Sequence, residues 1–170
     1  LDAGAEDHPL DGVDQRQAQW ARELPGLDTG GMAILGRARW ITLASRPGIE
    51  AVFKAHGLDS GEADVLFTLL RSGPPYRLRP TELFRSLMIS SGGMTYRLNR
   101  LEKAGLIRRP AIDGDGRSLP VELTDEGRHS AKAAFEADMA LEATMLKSLT
   151  DAEQTELARL LRKLALTFSE

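Results

Sequence analysis

The chain has 170 residues, 42% of them hydrophobic, with a formal net charge of −3, and that size fits one globular domain with or without long flanking helices. Cysteine is absent, which excludes disulfides, thiolate catalysis, thiol redox sensing and cysteine-bound metal together. No run of about 18 apolar residues occurs, so no membrane partner is expected. The opening residues lack a positively charged, apolar leader, and the expected location is the reducing cytoplasm.

Residues 1–12, rich in Asp, Gly and Ala, read as a flexible tail. A short helix is expected over about 13–23, carrying Trp20, and "LPGLDTGG" (24–31) interrupts it with proline and glycine. Helix resumes near Met32, with Ile34, Leu35, Ala38, Ile41 and Leu43 as its apolar positions. From the residues alone, Trp20 and Trp40 both read as core-packing aromatics. "RPG" at 46–48 is expected to kink or break this segment, because Pro47 has no N–H to give to the helix. A further helical piece ends at Gly57. "LDSGEADVLFTLLRSG" then opens with Asp59 and has Glu62 three residues on, a capping-box spacing. This helix is apolar almost all round, which places it in the core.

"GPPYRL" reads as a loop and "RPTELFRSLM" as a short helix. In "SSGGMTYRLNRLEKAGLIRRP" (90–110), Met94, Leu98 and Leu101 recur at i, i+4 and i+7, one apolar stripe of a helix. Ser90 or Ser91 is the expected N-cap, and Gly105 stands where a left-handed residue ends the helix. Opposite the stripe lie Gly92, Tyr96, Asn99, Arg100 and Lys103, a donor-rich face. Two short helices joined tightly, the second polar on its free side, make a helix-turn-helix. Charge agrees with this. Residues 76–117 hold nine Lys/Arg against four acids, a net +5, while the rest of the chain carries −8. A basic centre between acidic ends is an electrostatic footprint that net charge hides.

In "LIRRPAIDGDGRSLPVELT", Leu106, Ile107, Ile112, Leu119, Val121 and Leu123 predict two short strands around a tip of turn formers. Such a basic hairpin after a recognition helix is a wing. The remainder predicts helices over about 125–149 and from Thr150, the latter with a Thr150–Glu153 capping box. Leu157, Leu160, Leu161, Leu164 and Phe168 share one face of the last helix, and a homodimer interface is the expected cover for it.

Other chemistry finds little support. His8, His56 and His129 are scattered, so no metal site is expected. The serines have no activating histidine, Asp113 and Asp115 are turn formers, and Gly92-Gly93 lacks the Lys-Ser/Thr of a phosphate loop. No enzyme activity and no cofactor are expected.

The ordered motifs "LDSGEADVLFTL", "RPTELFRSLMISSGGMTYRLNRLEKAGLIRR" and "DGDGRSLPVELTDEG" resemble the MarR family of winged-helix transcriptional regulators, over roughly residues 27–168. The resemblance implies a mainly α fold with a small β wing: a winged helix-turn-helix over 58–124, N-terminal helices over 13–57 and C-terminal helices over 125–170 for dimerisation. It implies a homodimer, a repressor that leaves a pseudo-palindromic operator when a small anionic effector binds. The branch with an added N-terminal, tryptophan-bearing helix is most similar; it includes urate- and trans-aconitate-responsive repressors. That likeness implies effector contacts at Trp20, Asp64, Arg97 and Arg109, the N-terminal helices contributing to the pocket and the effector being urate-like or a carboxylate. The helical wheel also sets Arg97 beside the core, where a guanidinium requires an anionic partner; a purely structural Asp64–Arg97 pair is the other reading of these two. Two positions depart from the family pattern: Pro47-Gly48 interrupts a usual long helix, and Gly116 stands where a wing arginine is usual.

The expected partner is therefore double-stranded DNA. Tyr96, Asn99 and Arg100 are assigned to base edges, Ser90, Ser91, Thr95 and Lys103 to phosphates, and Arg117 to the minor groove. The alternative is a winged-helix module that binds a protein or small molecule without DNA, which the acidic ends and the absent wing arginine would favour.

Overall fold

The structure, a computed structural model, describes residues 9–87, 93–110 and 119–168, which are mainly helical with one small antiparallel sheet. The chain divides into two compact units, Leu1–Pro47 and Gly48–Glu170.

In the first unit, α1 (Gly12–Glu23) begins one residue before the predicted start. The Asp11 carboxylate accepts from the backbone N–H of Val13 and Asp14, and Asp14 closes the capping box in return. Arg37 pairs with Asp11 at 2.8 Å and with Asp14 at 2.6 Å, tying the start of α2 (Arg37–Ala55) to the start of α1. The bonds from the Asp14 backbone N–H and from Arg37 lower the Asp11 carboxyl to about 2. A single wide turn of π type, Met32–Gly36, leads into α2.

Two expectations are corrected in α2. Of the kink or break expected at Pro47, the break is absent: helix continues through it, although the proline forfeits the bond to the Leu43 carbonyl. Trp40, expected in the core, is 61% exposed. Periodicity shows that such a face is apolar, not that its own chain covers it.

The second unit is built around α3 (Ser60–Arg71), whose start is the predicted Asp59–Glu62 capping box. Ala63, Val65, Leu66 and Leu69 are wholly buried there. Leu83 of α4 (Pro80–Ser86) packs into the same core, as do Met94, Leu98 and Leu101 of α5 (Met94–Lys103) and Ala131 and Ala134 of α6 (Asp125–Met145). Edge-on rings link Phe53 of α2 to Phe67 and Phe67 to Phe135.

The sheet has order β1–β3–β2, with β1 (Arg77–Leu78), β2 (Ile107–Arg108) and β3 (Val121–Leu123) antiparallel to their neighbours. The strand at Arg77–Leu78 was expected to be loop; two residues carry no readable alternation, and pairing with β3 makes them a strand. Thr124 caps α6, and α7 (Asp151–Ala165) begins with the predicted Thr150–Glu153 box. No residue of α7 is buried, and Leu157, Leu160 and Leu161 are 41–47% exposed. No helix among the described residues is long and apolar enough to cross a membrane.

Candidate nucleic-acid interface

The helix α5 starts at Met94, later than a cap at Ser90 or Ser91 predicts: Gly93 holds the N-cap position at φ +74° and makes no side-chain cap. A left-handed residue suits glycine. At the other end Gly105, at φ +72°, turns the chain into β2. The apolar stripe is buried as the spacing predicts, with Met94, Leu98 and Leu101 at 4%, 6% and 1% exposure. Burying that stripe leaves the opposite face to solvent: Thr95, Tyr96, Asn99, Arg100 and Lys103 are all exposed.

Polar contacts hold this face in register. Arg100 Nε lies 3.0 Å from Oε1 of Glu62, a carboxylate only 2% exposed. The other oxygen of Glu62 accepts from the Asp59 backbone N–H at 2.9 Å. A carboxylate so buried demands a cation, and Arg100 supplies it while its guanidinium sits 5.8 Å from the Tyr96 ring. Arg97 and Arg100 approach the two oxygens of Asp59 at 3.9 and 3.8 Å. The Arg97 guanidinium also fills the space over Gly61, where a Cβ would stand 2.0 Å from its Nε. Beyond β2, Arg109 Nη2 donates to Asn99 Oδ1 at 2.5 Å, and Arg109 Nε lies 3.3 Å from Glu102.

Of the residues assigned from sequence to DNA, Thr95, Tyr96, Asn99, Arg100 and Lys103 share one exposed face; Ser90, Ser91 and Arg117 lie outside the described residues. Of those assigned to an effector, Arg97 is half-buried, Asp64 is buried on α3, and Arg109 is joined to Asn99. Trp20 is on α1 in the first unit, 47% exposed.

Sequence reasoning missed one cluster. Across the sheet, Arg77, Glu122 and Arg108 stand on a single rung. Glu122, 5% exposed, accepts from Arg77 Nε at 2.6 Å and from Arg108 Nη2 at 2.5 Å. The Arg108 bond, then that of Arg77, holds its carboxyl below the usual glutamate range against burial. The signal in the sequence was the lone acid of "VEL". Its partners depend on strand register, which spacing did not disclose.

The sequence profile of the MarR family matches residues 56–118. The HTH-type transcriptional regulator PecS of Dickeya dadantii is 37% identical over 143 residues, covering 84% of this chain and 86% of PecS. The HTH-type transcriptional repressor Rv2887 of Mycobacterium tuberculosis is 38% identical over 119 residues, 70% of this chain and 84% of that protein. The crystal structure of Rv2887, a MarR family protein, in complex with p-aminosalicylic acid aligns at a TM-score of 0.63 and 33% identity, covering 78% of this chain and 98% of the other.

Proposed function

The chain belongs to the MarR family, and on that premise we propose that it is a sequence-specific, DNA-binding transcriptional regulator. It acts as a homodimeric repressor that leaves a pseudo-palindromic operator when a small anionic effector binds. The observation that carries this reading is the division of α5. Its apolar stripe is sunk into the core while a donor-rich face, braced through Arg100 and Asn99, is left open. A helix of that form suits a major groove, where side-chain donors meet base edges.

Tyr96, Asn99 and Arg100 contact bases; Thr95 and Lys103 contact phosphates, together with Ser90 and Ser91, and Arg117 enters the minor groove. Arg100 already neutralises Glu62 through Nε, so only the outer edge of its guanidinium serves DNA. The exposed leucines of α7 are covered by a second copy, which places two recognition helices on one duplex. Trp20, Asp64, Arg97 and Arg109 are the effector residues. An anionic effector accords with p-aminosalicylic acid, a carboxylic acid, in the Rv2887 complex.

Selection of binding sites from a random duplex pool tests the reading. Recovery of an inverted repeat with half-sites about one helical turn apart is expected. An unenriched pool would contradict it.

A further inference from the structure

Gly105 reverses the chain after α5, and β2 carries it back so that Arg109 stands beside that helix. There Arg109 spans Asn99 and Glu102, one helical turn apart on the same side of α5. Its Nη2 donates to Asn99 Oδ1 at 2.5 Å, and its Nε lies 3.3 Å from Glu102 Oε2. The Arg109 side chain is 26% exposed, whereas Asn99 is open to solvent. A guanidinium has donors only, so the Asn99 amide can meet it with its oxygen and not with its nitrogen. The charge of Glu102 draws the Nε edge of the fork, which leaves Nη2 directed to Asn99.

We infer that Arg109 is a positioning residue for base recognition: by fixing the Asn99 amide, it makes α5 read guanine or thymine in place of adenine. The inference rests on the interface proposed above and is separate from the effector contact given there to Arg109. A freely turning asparagine pairs best with adenine, its oxygen accepting from N6 and its nitrogen donating to N7. With the oxygen held by Arg109, Asn99 shows the groove its N–H2 group alone. Guanine answers that group with N7 and O6, and thymine with O4, all of them acceptors. Adenine also offers N7, but its N6 amine then faces a second donor, and cytosine shows only an amine. Arg109 thereby sets which base is preferred without touching it. Lysine is no substitute, since a point charge has no fixed fork with which to hold Asn99 and Glu102 at once.

Anisotropy titrations of the full-length protein, without effector, on a selected duplex and its single-base-pair variants test this. The position that Asn99 reads is the one whose preference Asn99→Ala flattens. There the parent should favour guanine or thymine over adenine by about ten-fold. Arg109→Ala and Arg109→Lys should each shift that ratio toward adenine by about ten-fold, with the ranking at other positions as in the parent. In the Asn99→Ala background, Arg109→Ala should leave the ranking unmoved, since no amide remains to be turned. Asn99 and Glu102 both lie open to water, so the loss of Arg109 buries no unpaired charge, and thermal unfolding of each variant checks the fold. Should Arg109→Ala fail to fold, Arg109→Lys carries the test. A merely structural role would weaken binding to every duplex alike and leave the ranking in place. The assignment is overturned by that result, by an adenine preference in the parent at that position, or by no position that Asn99→Ala flattens. A ranking that Arg109→Ala still moves in the Asn99→Ala background also overturns it. Failure of the parent to bind any duplex overturns the regulator reading and this assignment together; selective binding with an unmoved ranking overturns this assignment alone.

Discussion

The guanidinium of Arg97 occupies the place of the side chain that Gly61 lacks: a Cβ there would lie 2.0 Å from its Nε and 2.3 Å from its Cζ. The recognition helix thus rests an arginine directly on the backbone of α3, one turn before the buried Asp64. Because the clash is with the end of a flexible side chain, Gly61→Ala should expel Arg97 rather than separate the helices. Stability should change by less than about 1 kcal/mol, since alanine also favours the helix by a similar amount. Effector-induced release from DNA should fail in Gly61→Ala, and equally in Arg97→Ala. Urea unfolding and release assays on both variants check this; a large loss of stability, or an intact effector response, would contradict it.

At Gly127 the obstacle is rigid. A Cβ would lie 1.8 Å from the backbone oxygen of Leu106, which cannot swing aside. The Gly127 N–H also donates to the Thr124 hydroxyl oxygen at 2.9 Å, the cap that opens α6. Gly127→Ala should cost about 2–3 kcal/mol through overpacking. Gly48→Ala would meet only the ends of Met145 and Leu141, at 3.3 and 3.4 Å, and should be neutral or mildly stabilising. Thermal unfolding of the two variants side by side checks the contrast, and equal losses would refute it.

The Arg77–Glu122–Arg108 rung predicts a pH dependence. A folded glutamate held below its ordinary range binds protons less readily than the unfolded one, so its stabilisation is complete above the unfolded value. It is lost as pH falls through the lower folded value. Glu122→Gln should therefore cost about 1–2 kcal/mol at neutral pH. The gap between variant and parent should close on acidification below the ordinary glutamate range. Unfolding curves across pH measure it; a gap that stays constant into acid would show that the charge of Glu122 contributes nothing.

Asn99 carries a prediction about sequence preference. Its Oδ1 accepts from Arg109, so its amide N–H2 is the group left to face outward, a donor suited to purine N7 or thymine O4. Asn99→Ala should reduce affinity for the selected site by about 1–3 kcal/mol and relax the preference at one base pair. Affinity for random DNA should hardly move. Equal losses on selected and random DNA would remove Asn99 from the readout.

Much of this arrangement was legible because it is local. The capping boxes at Asp59–Glu62 and Thr150–Glu153, the stripe of Met94, Leu98 and Leu101, and the left-handed Gly105 each depend on residues within a few positions. What spacing could not disclose depends on partners far along the chain. Arg109 reaches Asn99 only because Gly105 reverses the chain between them, and Glu122 meets Arg77 across 45 positions through strand register. Local rules also misled. Proline chemistry predicted a kink or break at Pro47, and no break occurs there; capping preference favoured Ser90 or Ser91 where Gly93 stands at the helix start. The apolar character of Trp40 was plain, but its exposure in the single chain was not.

The most direct test of the central claim is fluorescence anisotropy of the full-length protein on the duplex immediately upstream of its own coding sequence, over a salt series. The interface described here predicts tight binding that withstands excess random DNA. It also predicts affinity falling by orders of magnitude between about 50 and about 200 mM salt, as counterions leave several phosphates. Absence of binding at the lowest salt, or affinity indifferent to salt, would contradict it and would assign the exposed face of α5 to a partner other than DNA.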